Sequence, residues 1–243
     1  MCYTVEYLET RSAKYAERYK EILSPEAVSQ VPQQLPLFYL ISGFAHPVLP
    51  IVKQDGIFMF EWGLIPEWVK DHQSAVEMQN RTLNAVGETV FDKPSFRKSI
   101  ITKRCLLGVN GFYEWQEFKK SKYPYLIQCK SEEIFSLGCI YETWVDQSTG
   151  EIRNTFSLVT TPANPLMEKI HNLKKRMPLI IAKSDEAKWI DPSLTREEIE
   201  KLIKPYPEED MLAFTVSKLA NNVRNERNIP EIIEKVEYEE LVV

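Results

Sequence analysis

The chain has 243 residues, 44% of them apolar and 27% charged, with a formal net charge of −5. That length is ample for a buried core, the composition is ordinary for a globular protein, and the acidity excludes a uniformly basic nucleic-acid coat. The stretch Met1–Tyr15 lacks the apolar core of a signal peptide and no run approaching about 18 apolar residues follows, so neither secretion nor a membrane span is expected.

Taken in chain order, residues 11–24 place Tyr15, Tyr19, Ile22 and Leu23 on one face of an amphipathic helix that Pro25 follows. Residues 24–36 form a Pro-rich connector. Phe38–Phe44 and Val48–Lys53 predict strands, and Asp55-Gly56 marks a tight hairpin into a third, Ile57–Trp62. WGLIPEW (Trp62–Trp68) is a turn carrying two tryptophans, residues 73–81 predict a helix, and Thr82–Val86 is a short extended piece. A helix is expected over Pro94–Ile101, with Phe96 and Ile100 on one side. Strands follow at Cys105–Asn110, Phe112–Gln116, Tyr123–Cys129, Ile134–Thr143 and Asn154–Thr161, the last two joined by a turn at 148–150. Pro162–His171 predicts a helix, Met177–Ala182 a strand and Ser184–Ile190 a short helix. Thr195 and Glu198 form a capping box opening a helix to Ile203. A late strand, Leu212–Ser217, precedes a tail rich in asparagine (Asn221, Asn222, Asn225, Asn228). Strands outnumber helices and come as neighbouring hairpins, which predicts an α+β fold: a single domain, 1–243, on a mostly antiparallel, curled, barrel-like sheet with flanking helices.

The four cysteines, Cys2, Cys105, Cys129 and Cys139, have no CxxC spacing, and the three histidines are scattered. A structural zinc site and a disulfide scaffold are therefore not expected, no metal or other cofactor is called for, and a reducing compartment, cytoplasm or nucleus, fits. Charge is uneven: Phe91–Lys130 holds nine Lys/Arg against three Asp/Glu, a local +6, whereas Asp185–Val243 holds eight against fifteen, a local −7. A basic face of that size can hold phosphates even on an acidic chain, because screening confines the interaction to roughly 10 Å.

Neither GxGxxG, a P-loop, GxSxG nor HExxH occurs. The candidate chemistry lies in polar residues set among apolar ones: Asn84 in RTLNAVGET, Glu114 in GFYEWQ, and His171 after Ile170. Read singly, Asn84 fits a turn, Glu114 a strand's solvent face, and His171 a helix C-terminus. Cys2 stands apart. Removal of Met1, usual before a small residue, leaves a 1,2-aminothiol whose amine (pKa about 7.7–8) and thiol (about 8.5) are both partly nucleophilic near neutrality. The amine condenses with an aldehyde to an imine, and the thiol closes it to a thiazolidine.

MC at the start, WGLIPEW, NAVGET, GFYEW and IHNLKKRMP, in this order, resemble the SRAP family (SOS response-associated peptidase; abasic-site DNA crosslinking proteins), as does the tail VSKLANNVRNERNIPE. The resemblance implies a β-rich single-domain fold with a pocket at the mature N-terminus. It also implies covalent capture, by a monomer, of abasic sites in single-stranded DNA. Under it Cys2 forms the crosslink, Glu114 shuttles protons from a raised pKa, His171 holds and protonates the sugar oxygen, and Asn84 positions the amine. Trp68 is the expected stacking surface, and Arg81, Arg97, Lys98, Lys174, Lys175 and Arg176 are the candidate phosphate contacts. The same Cys and Glu would assist loss of Met1.

Three departures from the family pattern are visible. Cys2 is followed by Tyr3 and Thr4 rather than Gly-Arg; Asn84-Ala85-Val86 replaces Asn-Ala-Arg, with Arg81 a candidate substitute; and four residues rather than one separate His171 from Arg176. Two other readings compete: an N-terminal-nucleophile amidohydrolase, in which the Cys2 amine serves as base, and a non-catalytic reader of modified DNA.

Overall fold

Two 11-residue strands, Phe135–Val145 and Ile152–Pro162, pair as a hairpin, and the second is the one around which the others are placed. The computed structural model describes residues 2–29, 31–222, 224 and 226–241, so Met1 and Asn225 lie outside the described residues. Its strands are β1 (Thr4–Tyr7), β2 (Phe38–Ser42), β3 (Val48–Lys53), β4 (Gly56–Trp62), β5 (Asn84–Val86), β6 (Arg104–Val109), β7 (Gly111–Phe118), β8 (Ser121–Cys129), β9 (Phe135–Val145), β10 (Ile152–Pro162), β11 (Arg176–Pro178), β12 (Ile180–Ile181) and β13 (Met211–Thr215).

The strands β10, β4, β3, β6 and β9 follow one another around a ring, and β9 returns to β10, so this sheet closes on itself. The β9–β10 hairpin runs in register from Ile152↔Val145 to Leu158↔Cys139. On its other edge β10 first pairs with β4 in parallel, Phe156 opposite Trp62, then leaves it and takes β5, also in parallel, with Leu158 opposite Asn84 and Thr160 opposite Val86. Its last residues pair with β11. A second sheet, ordered β13-β8-β7-β1-β2, is antiparallel throughout and lays β1 between β2 and β7.

Both faces of the ring are covered, which is why its strands read as nearly continuous apolar runs. Side chains alternate across the sheet: Ile51 packs with Trp62, Leu107, Cys139 and Phe156, while Val52 packs on the opposite side with Tyr15, Leu106, Ile140 and Trp189. Helices α1 (Ser12–Tyr19), α2 (Pro25–Ser29), α3 (His72–Arg81), α4 (Ser99–Thr102), α5 (Pro165–Ile170), α6 (Glu186–Ile190) and α7 (Arg196–Leu202) flank the sheets. The α1 tyrosines are buried with their hydroxyls satisfied: Tyr15 donates to the Pro50 carbonyl at 3.1 Å and accepts from the Gly108 amide at 3.0 Å. A Cβ at Gly108 would come within 2.4 Å of the Tyr19 oxygen, so only glycine permits this approach.

The predicted α+β, barrel-like class is the one observed, with differences at the ends of elements. Helix α1 stops at Tyr19, and Leu23 reaches the core through a turn in which the Ile22 and Leu23 amides both bond to the Tyr19 carbonyl. The Pro-rich connector holds α2, with the Ser24 hydroxyl accepting from the Ala27 amide. The helix expected over Pro94–Ile101 is turns followed by the short α4, although Phe96 and Ile100 are buried as expected. Pro162 ends β10 instead of starting a helix; Asn164 caps α5, its side chain accepting from the Met167 amide at 2.8 Å. The strand expected at Met177–Ala182 divides at Leu179. Its amide bonds to Val159 and its carbonyl to Gly138, so β11 and β12 join different neighbours.

Phe156 is fully buried and stacks on Trp62, ring centres 6.0 Å apart and 19° from parallel. Phe156→Ala is expected to cost about 3–5 kcal/mol of stability, seen as a lower urea midpoint with an unchanged slope.

Candidate active site

Cys2 lies two residues before β1, and pairing of β1 with β2 and β7 draws the start of the chain into the second sheet. The Gly43 amide donates to the Tyr3 carbonyl at 2.7 Å, which ties residue 3 to the loop after β2. Cys2 is completely buried, its sulfur 3.8 Å from the Thr4 carbonyl. Burial pushes the thiol up, and the neighbouring Glu114 carboxyl pushes it further, so sulfur is held as the thiol.

Glu114 sits in the middle of β7, opposite Tyr125, and is 3% exposed. Burial raises its carboxyl to about 8, and its Oε1 has no hydrogen-bond partner among the described residues. His171 follows α5; its amide donates to the Met167 carbonyl, and its Nδ1 lies 2.8 Å from the Arg176 carbonyl. That contact places the ring proton on Nδ1 and leaves Nε2 as the basic nitrogen. Nδ1 is also 3.5 Å from Glu114 Oε2. The pair is not an ion pair near neutrality: burial lowers the imidazole to about 4 while it raises the carboxyl, so both are mostly uncharged. Asn84 is 7% exposed on β5, and neither its amide nitrogen nor its oxygen finds a partner among the described residues. An unpaired buried amide is costly, which marks the position as one that fits a polar ligand. Val86, two residues on and hence on the same side of the strand, lines the cleft described next.

A cleft of about 720 Å³ opens above Glu114 and His171, while Cys2 and Asn84 lie behind its wall and do not line it. Glu114 and His171 are on its wall with Tyr3, Phe44 and Trp115, and its cations are Lys122, Lys174, Arg176 and Arg227. Arg176 binds the Glu88 carboxylate and donates to the Thr160 carbonyl at 2.7 Å. Of the residues expected to hold nucleic acid, Lys174 and Arg176 line this cleft, and Trp68, Arg81, Arg97, Lys98 and Lys175 do not. Trp68 is 48% exposed outside it; Lys98 pairs with Glu67; Arg81 ends α3 and Arg97 is exposed in the turn before α4. The cleft thus draws on Tyr3, Phe44, Lys122 and Arg227, none of which pattern reasoning selected. Tyr3 and Phe44 stand 41 residues apart, and only the β1–β2 pairing brings them together.

The profile of SOS response associated peptidase (SRAP) matches residues 3–223. The chain belongs to the SRAP family. It is 40% identical over 175 residues to the abasic site processing protein YoqW of Bacillus subtilis (strain 168), covering 71% of this chain and 74% of that one. It is 30% identical over 241 residues to the abasic site processing protein HMCES of Xenopus tropicalis, covering 90% and 66%. A solved protein from Bacteroides thetaiotaomicron superposes with a TM-score of 0.87 at 37% identity, covering 97% of this chain and all of the other.

The departures of this SRAP chain from the pattern have local structural meanings. Val86 lies opposite Thr160 on β10, and Arg176 reaches that same Thr160, so a guanidinium stands beside the position from which arginine is missing. Arg81, the substitute suggested by sequence, lies outside the cleft. The four residues Asn172–Lys175 form a turn closed by the Lys175 amide on the His171 carbonyl at 2.8 Å, with Lys175 at φ 49°. The turn returns Arg176 to the imidazole and adds Leu173 and Lys174 to the cleft.

The raised Glu114 carboxyl has a consequence for stability. Between its ordinary value of 4.5 and about 8, the folded chain retains a proton that the unfolded chain releases, so this group lowers stability as pH rises through that window. Glu114→Gln removes the effect. The melting temperature of the variant minus that of the parent is expected to rise from pH 5 to 8 and level off above.

Proposed function

We propose that this SRAP chain captures abasic sites in single-stranded DNA, acting as a monomer through Cys2 once residue 1 has been removed. The observation that carries the reading is the burial of Glu114, uncharged and against His171, next to Cys2 at the wall of an open, cation-lined cleft. The abasic site processing proteins among its relatives support it.

The ring-closed abasic sugar must open to its C1′ aldehyde. Neutral His171 accepts the C1′ hydroxyl proton at Nε2 and delivers it to the ring oxygen. The Cys2 amine adds to the aldehyde; the carbinolamine hydroxyl leaves as water with the Glu114 proton, giving an iminium and a carboxylate. Sulfur then bonds to the former C1′ while its proton passes to that carboxylate, which restores neutral Glu114 and completes the thiazolidine. Aldehyde and aminothiol give ring and water, with no oxidant required. The order suits the buried thiol: a group held protonated needs a base only when it attacks, and dehydration creates one beside it. Asn84 offers its unpaired amide to the incoming amine or sugar hydroxyl, and Arg176 with Lys174 meets the phosphates. The Cys2 sulfur is fully buried, and loss of residue 1, in which Cys2 and Glu114 assist, frees the amine beside it.

Incubation with a single-stranded oligonucleotide carrying one abasic site is expected to give a band that persists on a denaturing gel and disappears in Cys2→Ala. Intact mass should show residue 1 absent in the reactive protein. A gel shift that survives Cys2→Ala only under native conditions would instead support a non-covalent reader. Crosslinking by the parent is expected to peak near pH 8: the amine must lose a proton (pKa about 7.7–8), and Glu114 must keep one. Glu114→Gln should slow crosslinking about 10²–10⁴-fold and remove the falling limb of the profile.

A further inference from the structure

Phe44 is 55% exposed on the 3₁₀ turn Gly43–Ala45, and its ring packs on Tyr3, centres 4.9 Å apart and 41° from parallel. A lone exposed phenylalanine is unremarkable on a protein surface. This one shares a cleft wall with Glu114 and His171, and its partner ring belongs to the residue that follows Cys2. Burial raises the Tyr3 phenol, with Glu114 and Cys2 adding to the rise. The support behind the two rings is rigid. The Gly43 amide bonds to the Tyr3 carbonyl at 2.7 Å, the Ser42 hydroxyl accepts from the Phe44 amide, and a Cβ on Gly43 would meet the buried Trp62 indole at 3.0 Å. Apolar surface pre-set in this way loses little freedom on binding a flat partner.

Resting on the proposed function, we infer that Tyr3 and Phe44 form a shelf on which a base next to the captured sugar stacks, making the neighbouring base a determinant of substrate choice. Two substitutions in this chain shift the cleft in the same direction. Tyr3 stands where the family pattern has glycine, adding a ring, and Val86 stands where it has arginine, removing a cation. Trp68, the ring first expected to stack, is not on this wall. Every base has a π-face, but purines offer more of it, so purine neighbours are favoured.

The test is equilibrium binding by fluorescence anisotropy, with single-stranded oligonucleotides carrying a tetrahydrofuran analogue that has no aldehyde and cannot crosslink. The analogue is flanked by adenines, by thymines, or by further tetrahydrofuran units. The protein is expected to prefer adenine over tetrahydrofuran flanks by about tenfold, with thymine between, in keeping with about 1–3 kcal/mol per stacked base. Phe44→Ala should collapse the preference to within about twofold, and Phe44→Tyr should retain it. Equal affinity for all three oligonucleotides in the parent, or a preference untouched in Phe44→Ala, overturns the shelf. The denaturing gel with true abasic DNA reads covalent capture separately, so loss of the shelf and loss of the proposed function give different results.

Discussion

One hydrogen bond, from the Gly43 amide to the Tyr3 carbonyl, decides where the chain begins in space. The first residues of most domains are poorly ordered unless something ties them down. Here β1 lies between β2 and β7, and that bond continues the pairing one residue beyond the strand. Cys2 is thereby fixed beside Glu114. The loop after β2 is fixed by the same contact, so the groups read as chemical and the rings read as recognition share one anchor.

The electrostatics of the wall follow from burial. In water, a carboxyl and an imidazole 3.5 Å apart would be an ordinary ion pair. Buried between β7 and the residues after α5, each is driven toward its neutral form, one at about 8 and the other at about 4. The site thus holds a proton donor and a proton acceptor side by side at neutral pH, an arrangement suited to moving protons without a net charge to desolvate. Lys174 and Arg176 remain on the rim, where solvent lowers the cost of their charge.

Much of this was legible in the sequence, unequally. The hairpins at Asp55-Gly56 and 148–150 and the alternation of apolar residues define the strands, and Tyr15 and Tyr19 the buried face of α1. A curled, barrel-like sheet was legible but the strands that close it were not, because the parallel pairing of β10 with β4 and then β5 joins segments more than seventy residues apart through no local signal. Among candidate site residues, Glu114 and His171 could be singled out by an apolar neighbourhood, and the structure brings them together. Tyr3 and Phe44 were not selected, since a ring that faces a cleft has the same sequence appearance as one that faces the interior. Trp68 was carried over from a family motif and Arg81, Arg97 and Lys98 were chosen by residue type, neither of which carries information about which wall they face.

The turn Asn172–Lys175 closes on its own backbone before Arg176 rejoins β10. Its length is consequently uncoupled from the position of the imidazole: residues added there are taken up as a loop, and the ring stays where α5 leaves it. Evolution can therefore alter the rim at this point, as Leu173 and Lys174 do here, while the proton-handling pair beneath is left undisturbed.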